Sequence, residues 1–196
     1  MAREQAIIAA VNRLLAEKGF EAMTVDAVAA EVGIAKASLY KHFKSKEDLA
    51  AAAMIGVLDR ALALIETLQR DTSRDDRERL EEITRWAMRA HLAGEMPSLP
   101  AQNSALRGAL MANKAYLERV MQASDRLGAW IVAGQRAGRL DASLPPELLL
   151  YTVYARACDP VLGIMQASAN FTDEQIVELV TSTCFGGIGG AAPKPA

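Results

Sequence analysis

Gly33 is the residue that most limits how this chain can fold, because it ends a short segment with helical periodicity. Before it, Val25, Val28, Ala29 and Val32 recur at the spacing of one helix face. Glycine readily takes the left-handed conformation found at helix C-termini, so it is expected to stop the helix there. A second short segment follows directly. The sequence therefore predicts two short helices joined by a tight turn, which is a helix-turn-helix.

Small and apolar residues on both sides of this turn indicate that the helices pack together. Ala29 and Gly33, four residues apart, are small enough to allow a close approach of the helices. Ile34 and Leu39 are predicted to anchor the following segment, a helix over about residues 35–43. An earlier helix is predicted over about 3–17, so the first part of the chain is a three-helix unit.

The residues after the turn carry a local positive charge. Residues 33–46 read GIAKASLYKHFKSK and contain four lysines, one histidine, one tyrosine and no acid. The whole chain has a formal charge of −2 and a pI of about 5.8. This balance argues against a protein that coats nucleic acid or membranes along its whole surface. The sequence instead indicates one local basic patch, on the helix-turn-helix.

A helix of this size fits the major groove of DNA, where lysine and serine side chains reach base edges or phosphates. The outward-facing candidates on the third helix are Lys36, Ser38, Tyr40 and Lys41. Tyr40, His42 and Lys46 are placed to hold flanking phosphates, contacts that position a protein more than they select a sequence. The absence of acid removes repulsion that would oppose the approach to phosphate. We therefore predict double-stranded DNA as a partner.

Residues 24–49, TVDAVAAEVGIAKASLYKHFKSKEDL, resemble the DNA-binding region of the TetR family of transcriptional regulators. The Tyr-x-His-Phe-x-x-Lys core carries the resemblance, which extends over about the first 50 residues. Ala35 and Ala37 depart from the family pattern, which often has Ser or Thr at the first position and glycine at the second. The resemblance implies DNA contacts by Thr24, Lys36, Ser38, Tyr40, Lys41, His42 and Lys46.

The rest of the chain predicts an all-α protein of about nine helices. Hydrophobic residues make up 51% and aromatic residues 5% of the chain, and the abundance of Ala and Leu favours helices. A long helix from the N-cap Ser45 to about Gln69 has two apolar stripes, which indicates burial between two layers. Later helices are predicted over about 76–93, 102–111, 114–137, 146–168 and 173–185. We expect a DNA-binding domain over 1–46, a helical domain over 47–187 and a disordered tail over 188–196.

The resemblance implies that the helical domain binds a small-molecule effector and forms a homodimer through its last two helices. Candidate interface residues are Leu148, Leu149, Thr152, Val153, Leu162, Ile176, Leu179, Val180 and Thr183. Candidate effector-binding residues are bulky or polar side chains within apolar stripes: Trp86, Arg89, Trp130, Tyr151, Tyr154 and Cys158. The few charges in these stripes favour a mainly hydrophobic effector. The same side chains at this spacing are also typical of an ordinary helical core.

Features of an enzyme are missing from the sequence. His42 and His91 are the only histidines, and Cys158 and Cys184 stand far apart without a metal-binding spacing. No nucleophile elbow or clustered Cys/His motif occurs. We therefore predict no catalytic residues, no metal and no cofactor.

A cytoplasmic location is expected, since the first residues do not form a signal peptide. The longest apolar run, Leu49 to Leu58, is about half the length of a membrane span. The main hypothesis is a homodimeric repressor that its effector releases from a palindromic operator. The alternatives are a co-repressor-dependent or activating regulator, and a helical adaptor that has lost DNA binding.

Overall fold

The structure, a computed structural model, describes residues 2–96 and 105–188. In these two ranges it contains helices and no strand, which confirms the predicted all-α fold. The tail predicted from residue 188 lies outside the described residues from 189 onward. The same holds for 97–104, which include part of a predicted loop and the predicted start of the helix over 102–111.

The described ranges contain ten helices, one more than predicted. They are α1 (Ala2–Ala22), α2 (Val25–Val32), α3 (Lys36–Leu39), α4 (Lys46–Arg70), α5 (Asp76–Leu92), α6 (Ala105–Ala112), α7 (Lys114–Arg136), α8 (Pro146–Arg156), α9 (Pro160–Ala167) and α10 (Asp173–Gly186).

The polar residues at the starts of α2 and α4 act as caps. The Thr24 hydroxyl accepts a hydrogen bond from the Ala27 backbone N–H at 3.1 Å. Ser45 does the same for the N–H of Asp48, also at 3.1 Å. Such caps satisfy backbone donors that have no partner inside the helix, and each typically stabilises it by about 1 kcal/mol. The caps fix where the helices around the turn begin.

Gly33 ends α2 in the left-handed conformation, with φ 70° and ψ 36°. The N–H of Ile34 then bonds to the Ala29 carbonyl at 3.0 Å and closes the helix end. A Cβ atom added to Gly33 would meet nothing within 4 Å. The prediction that Gly33 allows close helix packing was therefore wrong. Glycine is needed here for its backbone conformation.

α3 is shorter than the helix predicted over 35–43. Beyond Leu39 the regular pattern is lost, because the N–H of His42 bonds to the Leu39 carbonyl three residues earlier, at 2.9 Å. Residues 40–42 therefore form a turn. Leu39 and Phe43 are buried, as predicted, with 0% and 8% of their surface exposed. The segment is held in place by these two side chains.

The helix predicted over 146–168 is divided into α8 and α9. Asp159 has an extended backbone and its carboxylate accepts from the Val161 N–H at 3.0 Å, so it caps α9. Pro160 takes the first helical position, where its missing N–H costs nothing, whereas inside a continuous helix it would clash with the preceding turn. This division accounts for the tenth helix.

The division also bears on the apolar character of this region. Residues 146–167 are long and apolar enough to cross a membrane by length and composition, with a mean hydropathy of 1.3 and 17% of the window buried. The break leaves helices of 11 and 8 residues. A span requires about 20 consecutive helical residues. The low burial therefore marks an exposed apolar surface on two short helices.

α4 occupies the centre of the fold and contacts α1, α5, α6 and α7. Its first half packs with α1, α2 and α3 in one hydrophobic cluster. Near its other end, Ile65 and Leu68 are buried in a second cluster with residues of α5 and α7. This placement confirms the burial between two layers that the two apolar stripes predicted. One continuous helix therefore joins the N-terminal unit to the rest of the chain.

The core of the N-terminal unit also includes side chains from later helices. Leu106 and Leu110 of α6 are 1% and 2% exposed and belong to the same cluster as α1–α4. Tyr116, near the start of α7, packs against it from outside. The two parts of the chain thus share a hydrophobic core as well as a helix.

Candidate nucleic-acid interface and internal cavity

The residues predicted to contact DNA are mostly on the surface. Lys36, Tyr40, Lys41 and His42 are exposed, and Ser38 and Lys46 are half-buried. Tyr40 has 49% of its surface exposed at the end of α3, although it is a large aromatic residue. An exposed tyrosine beside several cations is well suited to donate a hydrogen bond to phosphate.

Thr24 is exposed and serves as the cap of α2. Its hydroxyl oxygen accepts from Ala27, which leaves its own O–H proton available for an acceptor outside the protein. A phosphate oxygen is such an acceptor. Thr24 can therefore hold α2 in place and contact DNA at the same time.

Lys36 is paired with an acidic side chain of α2. Its ammonium nitrogen lies 2.7 Å from a carboxylate oxygen of Asp26, on the first turn of α2. The hydrogen bond to Asp26 raises the pKa of Lys36, so the lysine is charged. The side chains are 47% and 69% exposed. A ligand from solvent can therefore reach both partners of this pair.

Lys46 has a structural role that its position in the sequence did not indicate. Its ammonium group donates to the Glu21 carbonyl oxygen at 3.1 Å and lies 4.3 Å from the centroid of the Phe20 ring. The carbonyl bond and the cation–π contact tie the start of α4 to the end of α1. Lys46 therefore fixes the N-terminal helices relative to α4.

A cavity of about 320 Å³ lies between α4, α5, α7 and α8. Its volume is at the lower end of the range of small-molecule sites, about 300–1,000 Å³. None of its described lining residues is charged. The largest share comes from one face of α4: Met54, Val57, Leu58, Ala61 and Ile65. A mainly apolar molecule fits such a lining.

Three of the six candidate effector-binding residues line this cavity, namely Trp86, Tyr154 and Cys158. They come from α5, from α8 and from the break that follows α8. Their contribution to effector binding stays a prediction, since the cavity shows only that they are brought together around one space.

The other three candidates lie away from the cavity. Arg89 is paired with Glu82 and Glu174, on the side of α5 that faces α10. The buried indole of Trp130 donates to Gln69, close to the far end of α4, at 2.9 Å.

Tyr151 is 67% exposed on the outer side of α8, one turn from the exposed Leu148. The helical stripe that relates it to Tyr154 and Cys158 does not lie wholly against α7, because only part of the α8 circumference is covered. A shared stripe was therefore not enough to place Tyr151 in the cavity.

Tyr116 also lines the cavity, although it was not among the candidates predicted from the sequence. It begins a stripe on α7 that continues through Val120, Ala123 and Leu127, all of which line the cavity. Their spacing of four, three and four residues is a regular helical face. In the sequence, the feature that could have identified Tyr116 is its polar hydroxyl at the end of this apolar helix face.

The hydroxyl groups of the lining are neutral. Burial raises the pKa of both Tyr116 and Tyr154, and a hydrogen bond with Ser124 opposes this increase for Tyr154. Both phenols are therefore protonated at neutral pH. The Thr84 hydroxyl donates to the Leu80 carbonyl at 2.6 Å. These hydroxyls thus offer hydrogen bonds without a formal charge.

Four of the predicted interface residues belong to the core of the subunit. Leu162, Ile176 and Val180 are buried in a cluster with Met88 of α5, and Val153 is 9% exposed. Leu162, Ile176 and Val180 face inward because α10 packs on α5 and α9, and Val153 lies on α8, which packs on α5 and α7. The prediction that these four lie in a dimer interface was therefore wrong.

A different set of apolar residues is exposed on the last three helices. It consists of Leu148 and Tyr151 on α8, Val161 and Ile164 on α9, Phe171 before α10, and Leu179 on α10, each 42% to 67% exposed. Leu148 and Leu179 were among the predicted interface residues.

Comparisons with known proteins give sequence matches for the N-terminal unit. Residues 7–53 match the family model of bacterial regulatory proteins, tetR family. The uncharacterized HTH-type transcriptional regulator YerO of Bacillus subtilis is 47% identical over 51 residues. This match covers 26% of the chain and 18% of YerO. The sequence similarity is thus confined to a small part of each protein.

Solved structures resemble the whole fold. The fatty acid degradation regulator FadR from Bacillus halodurans has a TM-score of 0.74 and 19% identity, over 96% of this chain and 97% of that chain. The regulator FadR from Bacillus subtilis, in complex with stearoyl-CoA, has a TM-score of 0.70 and 19% identity. The match covers 94% of this chain and 99% of that chain. At such identities the likeness establishes the fold.

Proposed function

Because its N-terminal helices belong to the TetR family of bacterial regulatory proteins, we propose that this chain is a homodimeric, cytoplasmic transcriptional repressor. A small, mainly hydrophobic effector releases it from operator DNA. The observation that carries the proposal is the exposed cationic segment from α3 to α4 within residues matched by the family model. In this proposal residues 1–46 bind DNA and 47–187 bind the effector and dimerise.

DNA recognition is assigned to the exposed residues around α3. Lys36, Ser38 and Lys41 are placed to face the major groove, where such side chains reach bases and phosphates. Thr24, Tyr40 and His42 are assigned to flanking phosphates. Lys46 supports the surface by fixing α4 against α1.

Dimerisation is assigned to the exposed apolar surface of α8 and α9, with α10 at its edge. Leu148, Tyr151, Val161 and Ile164 give two adjacent short helices an apolar outer face. A patch of this kind on a folded subunit is typical of a protein interface. A two-fold dimer would present two recognition helices about 34 Å apart, one turn of DNA.

The effector is assigned to the cavity between α4, α5, α7 and α8. The FadR of Bacillus subtilis, which shares this fold, was solved with stearoyl-CoA, a ligand with a long apolar chain. The uncharged lining of the cavity here supports a mainly apolar molecule. Release requires that the effector bind better to a dimer state whose recognition helices do not fit adjacent grooves.

The test is duplex DNA binding over a range of salt concentrations, with a fragment from upstream of the chain's own reading frame. If the dimer neutralises about six to eight phosphates, log affinity falls against log salt with a slope of about −5 to −7. Lys41→Ala is expected to weaken binding and to reduce this slope by about 2, one phosphate from each subunit.

Lys114→Ala is the matched control, because Lys114 is 90% exposed on α7 and outside the proposed surface. We expect it to leave both affinity and slope unchanged. If the wild-type protein bound no duplex DNA at low ionic strength, the repressor hypothesis would be refuted and the adaptor hypothesis supported. Tighter DNA binding upon addition of the effector would show a co-repressor mechanism.

A further inference from the structure

The cavity lining is apolar apart from Thr84, whose hydroxyl bonds to the Leu80 carbonyl, and three further polar side chains. Tyr116 at the start of α7, Tyr154 in α8 and Cys158 after α8 bring two hydroxyls and a thiol to this lining. Cys158 contributes to the raised pKa of Tyr116, and Tyr116 contributes to that of Tyr154. The three groups are therefore close enough to interact electrostatically. They form a polar end, a name used below for Tyr116, Tyr154 and Cys158.

The two hydroxyls of the polar end differ in their hydrogen bonding. Tyr154 shares a hydrogen bond with Ser124 of α7 at 2.8 Å, which orients its phenol. The Tyr116 hydroxyl has no hydrogen-bond partner among the described residues, although its ring is half-buried against the N-terminal core. A partly buried hydroxyl is stabilised when a bound molecule or water satisfies it. The Tyr116 hydroxyl can therefore form a hydrogen bond with a bound ligand.

Charge restricts the ligand further. Arg60 lies 5.9 Å from the ring of Trp86, but it is paired with Glu95 at 2.6 Å and is not part of the lining. A carboxylate or ammonium group inside the cavity would lose its water without gaining an opposite charge, which is strongly unfavourable. The buried part of the ligand is therefore neutral.

We infer that the effector is an uncharged aliphatic molecule with one hydrogen-bonding end group, an alcohol or a ketone, that Tyr116 holds at the polar end. The inference rests on the proposed effector role of the cavity. A volume of 320 Å³ is about ten times the share of one water in the liquid, so a ligand of about ten to twelve non-hydrogen atoms fits.

The experiment compares decan-1-ol, decan-2-one and decanoate at pH 7.5, with binding followed by tryptophan fluorescence, because Trp86 is in the cavity wall. The alcohol and the ketone are expected to bind at least tenfold tighter than decanoate. Tyr116→Phe should weaken alcohol and ketone binding about tenfold. Ser143→Ala is the control, since it removes a hydroxyl from the turn between α7 and α8, outside the cavity.

Equal or tighter binding of decanoate, no binding of any of the three probes, or unchanged affinity in Tyr116→Phe would overturn the inference. DNA release is measured separately. A ligand that binds with this preference and leaves DNA affinity unchanged would refute the proposed regulation, while the ligand chemistry of the cavity would stand. The two failures are therefore distinguishable.

A second, independent observation concerns Asp26, which holds the ammonium group of Lys36 at 2.7 Å. On the first turn of α2, this carboxylate lies two residues from Thr24, which is itself predicted to contact phosphate. Its carboxylate oxygen is the same kind of anionic acceptor that a DNA phosphate would offer to Lys36. Because it is negative, it also repels the DNA backbone.

We propose that Asp26 acts as an internal competitor for Lys36 and limits non-specific DNA binding. On random duplex, Lys36 stays with Asp26 and makes no phosphate contact. On the operator, correct docking provides enough additional contacts to draw Lys36 away. Specificity is thereby increased through weaker binding to the wrong sequence.

Asp26→Asn is expected to tighten binding to random duplex about tenfold at low salt and to steepen its salt slope by about 2, one additional phosphate per subunit. Glu31→Gln is the matched control, since it removes one negative charge from the same helix, where Glu31 is paired with Arg13. The gain should vanish in the Asp26→Asn, Lys36→Ala double variant.

An unchanged salt slope in Asp26→Asn, or an equal gain in Glu31→Gln, would contradict the competition. Loss of binding in Asp26→Asn would also contradict it and would show that Asp26 positions Lys36 for contact. Wild-type protein that binds no DNA at all would instead refute the proposed function.

Discussion

Leu148→Glu combined with Ile164→Glu is expected to convert the proposed dimer into a monomer and to weaken operator binding at least a hundredfold. These side chains are 49% and 67% exposed on α8 and α9, within the apolar surface assigned to dimerisation. Each dimer would bury four new carboxylates without a partner, and an uncompensated buried charge costs about 3–5 kcal/mol. A monomer retains only the contacts of one half-site, so operator affinity falls steeply.

Analytical ultracentrifugation measures the assembly state, and fluorescence anisotropy with labelled duplex measures DNA affinity. Met121→Glu is the matched control, because Met121 is another large apolar residue, 64% exposed on α7. The control should remain dimeric and bind DNA normally. A double variant that stays dimeric would exclude the α8–α9 surface as the interface.

Leu39→Ala is expected to abolish DNA binding while the cavity region stays folded. Leu39 is the only buried residue of α3 and has 0% of its surface exposed. Truncation of a fully buried leucine typically costs about 2–5 kcal/mol. A four-residue helix has few other contacts to compensate, so α3 would detach from the N-terminal core and lose its orientation.

Hydrogen exchange gives the readout for this variant. Protection should fall in α1–α3 and persist in α5 and α10, whose packing does not involve Leu39. Lys41→Ala is the comparison, since its exposed side chain should weaken DNA binding without altering protection. Unchanged DNA affinity in Leu39→Ala would show that the burial of Leu39 is not required to hold α3 in position.

The N-terminal unit could be predicted because its signals are local. Gly33, the Ser45 cap and the apolar spacing around Leu39 each act within a few residues, and the structure contains the helices they predict, with α3 shorter than expected. The break at Asp159–Pro160 was not predicted, although Pro160 stands inside an apolar run. Its consequence, two helices in place of one, depended on Asp159 supplying a new cap.

The cavity could be predicted only in part, because its lining depends on which helices meet. Trp130 and Tyr154 have similar settings in the sequence, yet Trp130 bonds to Gln69, which lies 61 residues earlier. The exposure of Tyr151 likewise reflects where α7 stops covering α8. The contact between Lys36 and Asp26 spans ten residues and a turn, beyond any periodic pattern.

Because α4 is one continuous helix, a small tilt at one end is converted into a larger displacement at the other. With 25 residues the helix is about 37 Å long at about 1.5 Å per residue, and its middle forms a wall of the cavity. A tilt of about 5° around one end moves the other by about 3 Å, close to the rise of about 3.4 Å between stacked base pairs. In the proposed dimer, a change in angle of this size at the effector cavity would be enough to move the two recognition helices out of register with the grooves of DNA.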